Sequence, residues 1–207
     1  MKTIIAVSFF GIVINAFAQD STGQKCNRKA MQDFNVTRYL KMSRTYETHS
    51  QKSPFPVVCR VYKTTKKSDG DVDISTSGYY QYNGTTYYSE GQCNVAVEDM
   101  RDGQFPEVCR ITNDTYLEDP ESFMDVVFTV YTSVIDTDYR KYVLLYKCVE
   151  DENGDIIIDN ILILKKKNYN KYGGVKKALK KIKMDFESFT PRTDNAYCDN
   201  NSNIKEL

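Results

Sequence analysis

The sequence predicts an all-β protein, an eight-stranded antiparallel up-and-down barrel followed by one amphipathic helix. Three observations carry this. Two long hydrophobic runs, residues 126–135 and 139–148, are joined by Asp136, Thr137 and Asp138, and a third, residues 156–164, follows the turn Glu152, Asn153, Gly154, Asp155. Strands of that length persist mainly where a sheet closes on itself and leaves no edge. The dipeptide Asn83-Gly84 splits residues 72–82 from 85–95, as a type I′ hairpin turn requires. Beyond residue 164 the period changes: Val175, Ala178, Leu179, Ile182 and Phe186 recur at three- and four-residue steps, the spacing of one helical face.

The elements follow in order. Residues 1–18 carry one charge, Lys2, an apolar core over 4–14 and small residues Ala16 and Ala18, the pattern of a cleaved secretory signal peptide with Gln19 as the new N-terminus. Residues 19–207 then form a single domain. Residues 26–39 read as an irregular lead-in with a helical turn around 29–34, and a first strand spans 42–48. Pro54 and Pro56 break the chain before a strand over 57–65. After the Asn83-Gly84 hairpin, residues 105–112 form a shorter strand, and the three long runs bring the count to eight. Gly173 and Gly174 precede the helix, Pro191 follows it, and the polar tail over 193–207 is expected to be loose except at Cys198.

Composition limits function. The chain of 207 residues carries 28 basic and 28 acidic side chains, and loss of Lys2 with the leader leaves one excess acid, so global charge points to no partner. Six cysteines, Cys26, Cys59, Cys93, Cys109, Cys148 and Cys198, suit three disulfides in a secreted chain, with fifteen connectivities open. A single histidine, His49, and no CxxC pair leave a zinc site unsupported. Asn35, Asn83, Asn113 and Asn200 head N-glycosylation sequons. No G-x-S-x-G, free cysteine or phosphate-cradling loop is present, so no catalysis is expected, and Asp136 and Asp138 read as turn formers that bond nearby backbone.

Eight strands, a late helix and Thr137, Asp138 and Tyr139 between two long strands resemble the lipocalins. More of the chain resembles one group of them: Lys25, Cys26 and residues 29–34, then 46–49, Val58, Cys59 and Arg60, then 133–142 and 159–164 look like the salivary lipocalins of blood-feeding triatomine bugs, the triabin and pallidipin group. The resemblance implies bridges Cys26–Cys148 and Cys59–Cys198, leaving Cys93 with Cys109. It also exposes a departure, since lipocalins place Gly-x-Trp in the first strand and this chain has no tryptophan, so Tyr46 or Met42 is expected to plug the closed end.

Haem carriers of related bugs hold iron through the histidine of a Tyr-His-Tyr-Asn stretch. The matching residues here are Tyr80, Gln81, Tyr82 and Asn83, and glutamine cannot replace the imidazole, so no cofactor is expected. Tyrosine is abundant, sixteen residues, with Tyr79, Tyr80, Tyr82, Tyr87 and Tyr88 around the hairpin turn. Candidate ligand contacts are Tyr80, Tyr82, Tyr88, Tyr131 and Arg44, set against cross-strand packing on the outside. An amine would need Glu47, Glu90 or Glu107 inside, and a lipid carboxylate Arg44, Arg60 or Arg110. In the strand after residue 125 the inward set is either Val126, Phe128, Val130 and Thr132 or Val127, Thr129, Tyr131 and Ser133.

Residues 165–183 hold nine lysines and no acid, either a solvated helix face or a basic patch for a polyanion. The resemblance implies a secreted, monomeric salivary protein, with no nucleic-acid partner and no membrane span, that suppresses host haemostasis by sequestering thromboxane, a leukotriene or a biogenic amine. The alternative is an inhibitor that grips thrombin or a contact-phase protein through its loops, residues 50–56, 83–85 and 113–120, or its lysines.

Overall fold

The computed structural model describes residues 26–53, 55–117, 126–166 and 171–200; the leader and the end of the 113–120 connection lie outside them. Helix α1 (Val36–Leu40) precedes eight strands: β1 (Arg44–Ser50), β2 (Val57–Lys66), β3 (Asp71–Tyr82), β4 (Thr85–Ala96), β5 (Gln104–Asp114), β6 (Val127–Thr137), β7 (Tyr142–Glu150) and β8 (Ile156–Lys165). Helix α2 (Gly173–Lys181), a 3-10 turn (Phe186–Ser188), a two-residue strand β9 (Thr190–Pro191) and helix α3 (Tyr197–Asn200) follow. Each strand pairs antiparallel with the next, and β1 closes the ring by pairing with both β8 and β2. This is the eight-stranded up-and-down barrel the sequence predicts.

Local chemistry fixes the registers. Asn83 (φ 49) and Gly84 (φ 78) both take positive φ, and the hairpin they close runs unbroken from Tyr82↔Thr85 to Asp71↔Ala96. Gly78 is required by closeness: a Cβ there would lie 2.3 Å from the Cys59 carbonyl oxygen, where β2 carries a bulge. The Thr137-Asp138-Tyr139 turn is held by its own side chains. The Thr137 hydroxyl donates to the Tyr142 carbonyl (2.6 Å), and Asp138 accepts from the amides of Arg140 (2.9 Å) and Lys141 (2.6 Å). Tyr139 (φ 59) then carries its hydroxyl to the Asn35 amide at 2.8 Å, with Arg38 over its ring.

Contact with the closed end displaces the early helix from its expected place. The helical turn expected at 29–34 is absent; α1 starts after Asn35, whose side chain accepts from the Arg38 amide. The helix brings Tyr39 and the following Met42 into the barrel floor, among Val143, Leu145 and Leu164. Met42 thus takes the tryptophan's place. Tyr46 does not, because it faces outward against Cys59 and Cys198.

Strand β7 is buried on both faces, Tyr142 through Val149. Val143, Leu145 and Val149 face the interior, while Leu144, Tyr146 and Cys148 meet Val175, Ala178 and Leu179 of α2. Gly174 is needed at that seam, since a Cβ would sit 2.8 Å from the Tyr142 ring. Phe186 belongs to the 3-10 turn and not to the helix, which ends at Lys181.

The described part of the tail, residues 193–200, is not loose, and residues 201–207 lie outside the described residues. Strands β1 and β2 pair directly only over residues 44–46 and 61–63, and each bulges and diverges toward the mouth. Residues 190–194 fill the gap. Strand β9 pairs with His49 and Ser50, the Arg192 amide donates to the Thr48 carbonyl (2.9 Å), and Thr193 and Asp194 donate to the carbonyls of Val57 (3.2 Å) and Val58 (2.9 Å). The Cys59–Cys198 disulfide secures this strap, Cys26–Cys148 ties the lead-in across β7, and Cys93–Cys109 joins directly opposed residues of β4 and β5.

Because Cys59 and Cys198 close a loop over 139 residues of sequence separation, Cys59→Ser/Cys198→Ser should lose about 2–5 kcal/mol in denaturant unfolding. Native-state hydrogen exchange should then rise first over residues 188–200, and unchanged exchange there would show that the strap holds without its bridge.

A second expectation concerns His49, packed 4.7 Å from the Phe186 ring and 5.3 Å from that of Tyr172. Burial, and then the nearby Lys165, pushes its imidazole below its ordinary value. Between that lowered value and the unfolded one the unfolded chain binds more protons, so stability is present above the ordinary histidine range and is lost as pH falls through the folded value. The drop in Tm between about pH 6.5 and 5 should be smaller in His49→Phe than in the wild type.

Candidate binding site inside the barrel

Strand alternation sorts the candidate residues. Val130 and Thr132 of β6 are buried with Phe128 packed on the core, so the inward set is the even one, although Val126 precedes the strand and is exposed. Tyr131 therefore lies on the outside, 38% exposed, opposite Cys148. Tyr88 also faces outward, packing on Tyr79 (5.2 Å between rings) and donating to Glu90 at 3.1 Å. Arg44 is outside as well, beside Tyr46 and 3.2 Å from Asp199 of α3. These three candidates are corrected by the parity of their strands. Glu90 and Arg110 share the outward phase of β4 and β5. Tyr80 and Tyr82 share the inward phase of β3 with Val72, Ile74 and Thr76.

Three layers fill the interior. Tyr39, Met42, Ile74, Val143, Leu145 and Leu164 make an apolar floor. Charged groups lie above it. Glu107 of β5 takes the Lys147 ammonium on both oxygens, at 2.6 and 2.7 Å, with both side chains almost wholly buried. Glu47 of β1 accepts from the Tyr62 hydroxyl (2.9 Å) and is paired with Arg192, which reaches in from the strap. Arg60 of β2 is fully buried against Tyr62, Asp114 and Tyr80, and the Tyr80 hydroxyl donates to Asp114 at 3.0 Å. Among the described residues, three cations thus meet three carboxylates.

Burial governs titration here. Desolvation pushes the Tyr62 phenol up to about 12, with the Glu107 charge adding to it and Arg60 opposing it, and lowers the Arg60 guanidinium from its ordinary value. The same desolvation brings Arg192 down to about 10, still charged at neutral pH. Tyr39 is raised for the same reason, then by Glu107.

Aromatic rings form the third layer, at the mouth. Phe55 meets Tyr82 edge-on at 5.2 Å, Tyr82 meets Tyr116 at 5.3 Å, Tyr116 meets Tyr87 at 5.1 Å, and Tyr87 lies 5.7 Å from Tyr80, which stands over Asp114. The free space left at the centre, between floor and charges, is about 10 Å³, one water's worth. Among the described residues the rings of Phe55, Tyr82, Tyr116, Tyr87 and Tyr80 form a continuous chain above the charged layer.

Two further groups resolve simply. Cys93, Glu107 and Cys109 come close enough to hold a metal, but both thiols are in a disulfide and Glu107 is engaged by Lys147. Asp136 binds no backbone, contrary to its expected turn role, and instead accepts from the Tyr142 hydroxyl (2.6 Å) and Lys181 (3.2 Å). Asn35, Asn83, Asn113 and Asn200 are all exposed.

Sequence reading missed Phe55, Tyr116, Asp114, Lys147 and Arg192. Lys147 had a visible signal, a charge within a strand apolar on both faces. Nothing local marks Arg192, which acts through a partner 145 residues away.

Comparison with known proteins agrees with this architecture. The family profile described as Triabin matches residues 18–179. Pallidipin of Meccus pallidipennis is 34% identical over 97% of this chain and 99% of its own, and platelet inhibitor triplatin-2 of Triatoma infestans is 28% identical over 76% and 81%. Among solved structures, the tryptamine complex of the amine binding protein of Rhodnius prolixus superposes with a TM-score of 0.65 at 21% identity, covering 82% of this chain and 87% of that one. A variant of LTBP1 in complex with leukotriene C4 gives 0.53 at 24%, covering 83% and 97%. At such identity the two structures establish the shared fold.

The buried ion pair generates a prediction. Glu107→Gln strands the Lys147 charge and should cost about 3–5 kcal/mol, whereas Glu107→Leu/Lys147→Met should be near neutral or stabilising. Denaturant unfolding of both variants checks it; equal losses would mean that packing, not charge, sets the effect.

Proposed function

The chain belongs to the triabin family of salivary lipocalins, and on that premise we propose that it is a secreted scavenger that impairs host haemostasis by holding an apolar mediator with a carboxylate head inside its barrel. It performs no catalysis. The observation that carries the ligand class is Arg60, a fully buried guanidinium beneath a mouth of aromatic rings.

The reasoning is electrostatic. Glu47 and Glu107 are each held by a buried protein cation at bonding distance, so an entering ammonium has to displace Arg192 or Lys147. A guanidinium presents five N–H donors in a planar fork that matches a carboxylate, so a ligand head entering beneath the mouth meets Arg60 in competition with the partners it already has, Asp114 and Tyr62 among them. The rings of Tyr82, Tyr116 and Phe55 swing from the mouth on entry, and the space they leave receives the apolar body. Sequestration is stoichiometric, which suits a protein delivered in quantity. Platelet inhibitor triplatin-2 and the leukotriene C4 complex of LTBP1 support the reading, and the tryptamine complex of the same fold makes the amine class its alternative.

Calorimetric titration with prostanoid and leukotriene carboxylates and with serotonin and histamine tests it. One equivalent of a lipid carboxylate should bind, and Arg60→Met/Asp114→Asn, which removes both charges together, should weaken binding at least about tenfold, about 1.4 kcal/mol. Amine binding without lipid binding would reverse the assignment. Clean nulls for both, with prolonged contact-activated clotting, would move function to the outer loops and a host protein.

A further inference from the structure

We propose that the outer face of α2, with the β6–β7 turn beside it, is a docking surface for a linear sulfated polysaccharide of the glycosaminoglycan class. Nine lysines fall within residues 165–183 in a chain whose charge is otherwise balanced. The structure divides those it describes. Lys165 is buried beneath the Tyr172 ring (3.5 Å), Lys176 is bound by Glu187 (2.9 Å) and Lys181 by Asp136 (3.2 Å). Lys171, Lys177, Lys180 and Lys183 are exposed, and no carboxylate lies within 4.0 Å of their ammonium groups among the described residues.

Helix stability does not account for this face. The helix opens on Gly173 and Gly174, its N-terminus has no side-chain cap, and its first turn has no acid. Lys176 and Lys180, and Lys177 and Lys181, are like charges at i,i+4, each pair costing a few tenths of a kcal/mol. What holds the helix is burial of Val175, Ala178 and Leu179. Lys180 and Lys181 in the last turn complement the helix dipole, so helix stability makes use of part of this charge and not of its crowding.

Neighbouring segments extend the positive face. Lys166 donates its amide to the Lys141 carbonyl (3.0 Å), and the Tyr142 ring contacts Gly174, which brings the turn carrying exposed Arg140 and Lys141 alongside the helix. The acids of this region are already engaged: Asp136 by Tyr142 and Lys181, Glu187 by Lys176, Asp185 in capping the 3-10 turn, and Asp138 by the amides of Arg140 and Lys141. Among the described residues, no exposed large apolar side chain belongs to α2 or to the β6–β7 turn. A membrane-docking face combines cations with apolar groups that insert. Cations without them suit a hydrated polymer of regular anions, and single weak pairs become useful when one strand engages several.

Heparin is the probe. The wild type should be retained on immobilised heparin at about 0.15 M ionic strength and elute as salt screens the contacts. Lys177→Glu/Lys180→Glu should weaken binding roughly tenfold or more, while Lys63→Glu/Lys66→Glu, the same charge change on β2, should leave it intact. All four lysines are exposed, so circular dichroism should be unchanged, and the result does not depend on what the barrel holds. Absence of retention, equal loss in the β2 variant, or binding to phosphatidylserine vesicles in place of heparin would overturn the proposal.

Discussion

The barrel depends on a wall that its own strands do not complete. Where β1 and β2 diverge, a row of backbone groups would face an open seam beside buried carboxylates, and the strap over residues 190–194 satisfies both edges at once. Its Arg192 also neutralises Glu47, a charge that could not stay ionised inside a barrel without a partner. Two needs, one of backbone hydrogen bonding and one electrostatic, therefore meet in one segment. Cys198 holds it to β2, and Glu47 fixes the depth of Arg192.

From that seam the interior order follows. Glu47 orients Tyr62, Tyr62 lies against Arg60, and Arg60 faces the Asp114 and Tyr80 pair that carries the aromatic mouth. A chain of contacts thus runs from the strap to the entrance. Filling a barrel with six charges is a poor route to stability, because buried pairs at best offset their desolvation. Such groups are better understood as selectivity, since a ligand that cannot match them leaves them unpaired.

Fold was legible because it rests on periodicity and turn chemistry. Residues 126–164 and Asn83-Gly84 state their strands and turns locally, and Thr137-Asp138-Tyr139 closes its turn with its own side chains. The direction of the candidate side chains was not legible: a strand buried on one face leaves two sets of positions, and the structure turns Tyr80 and Tyr82 inward and Tyr88, Tyr131 and Arg44 outward. On β6 both sets stayed open in the sequence; the barrel keeps its buried charges on β1, β2, β5 and β7. The strap was illegible, as Pro191 and a polar tail resemble a loose end until the divergence of β1 and β2 is seen.

Charge balance inside sharpens what the barrel can hold. With three cations against three carboxylates among the described residues, a neutral ligand draws on apolar burial, about 25 cal/mol per Å². Under the proposed assignment a carboxylate meets both Arg60 and Asp114, and since at an effective dielectric near 20 a charge pair at about 4 Å is worth about 4 kcal/mol before desolvation, attraction to the one is opposed by repulsion from the other. A carboxylate head therefore gains only where it lies nearer the guanidinium than Asp114 does. The aromatic mouth adds the converse requirement, since a small hydrophilic anion could not replace the contacts its rings give up. Only a molecule with both an apolar body and a charged head satisfies the two layers together.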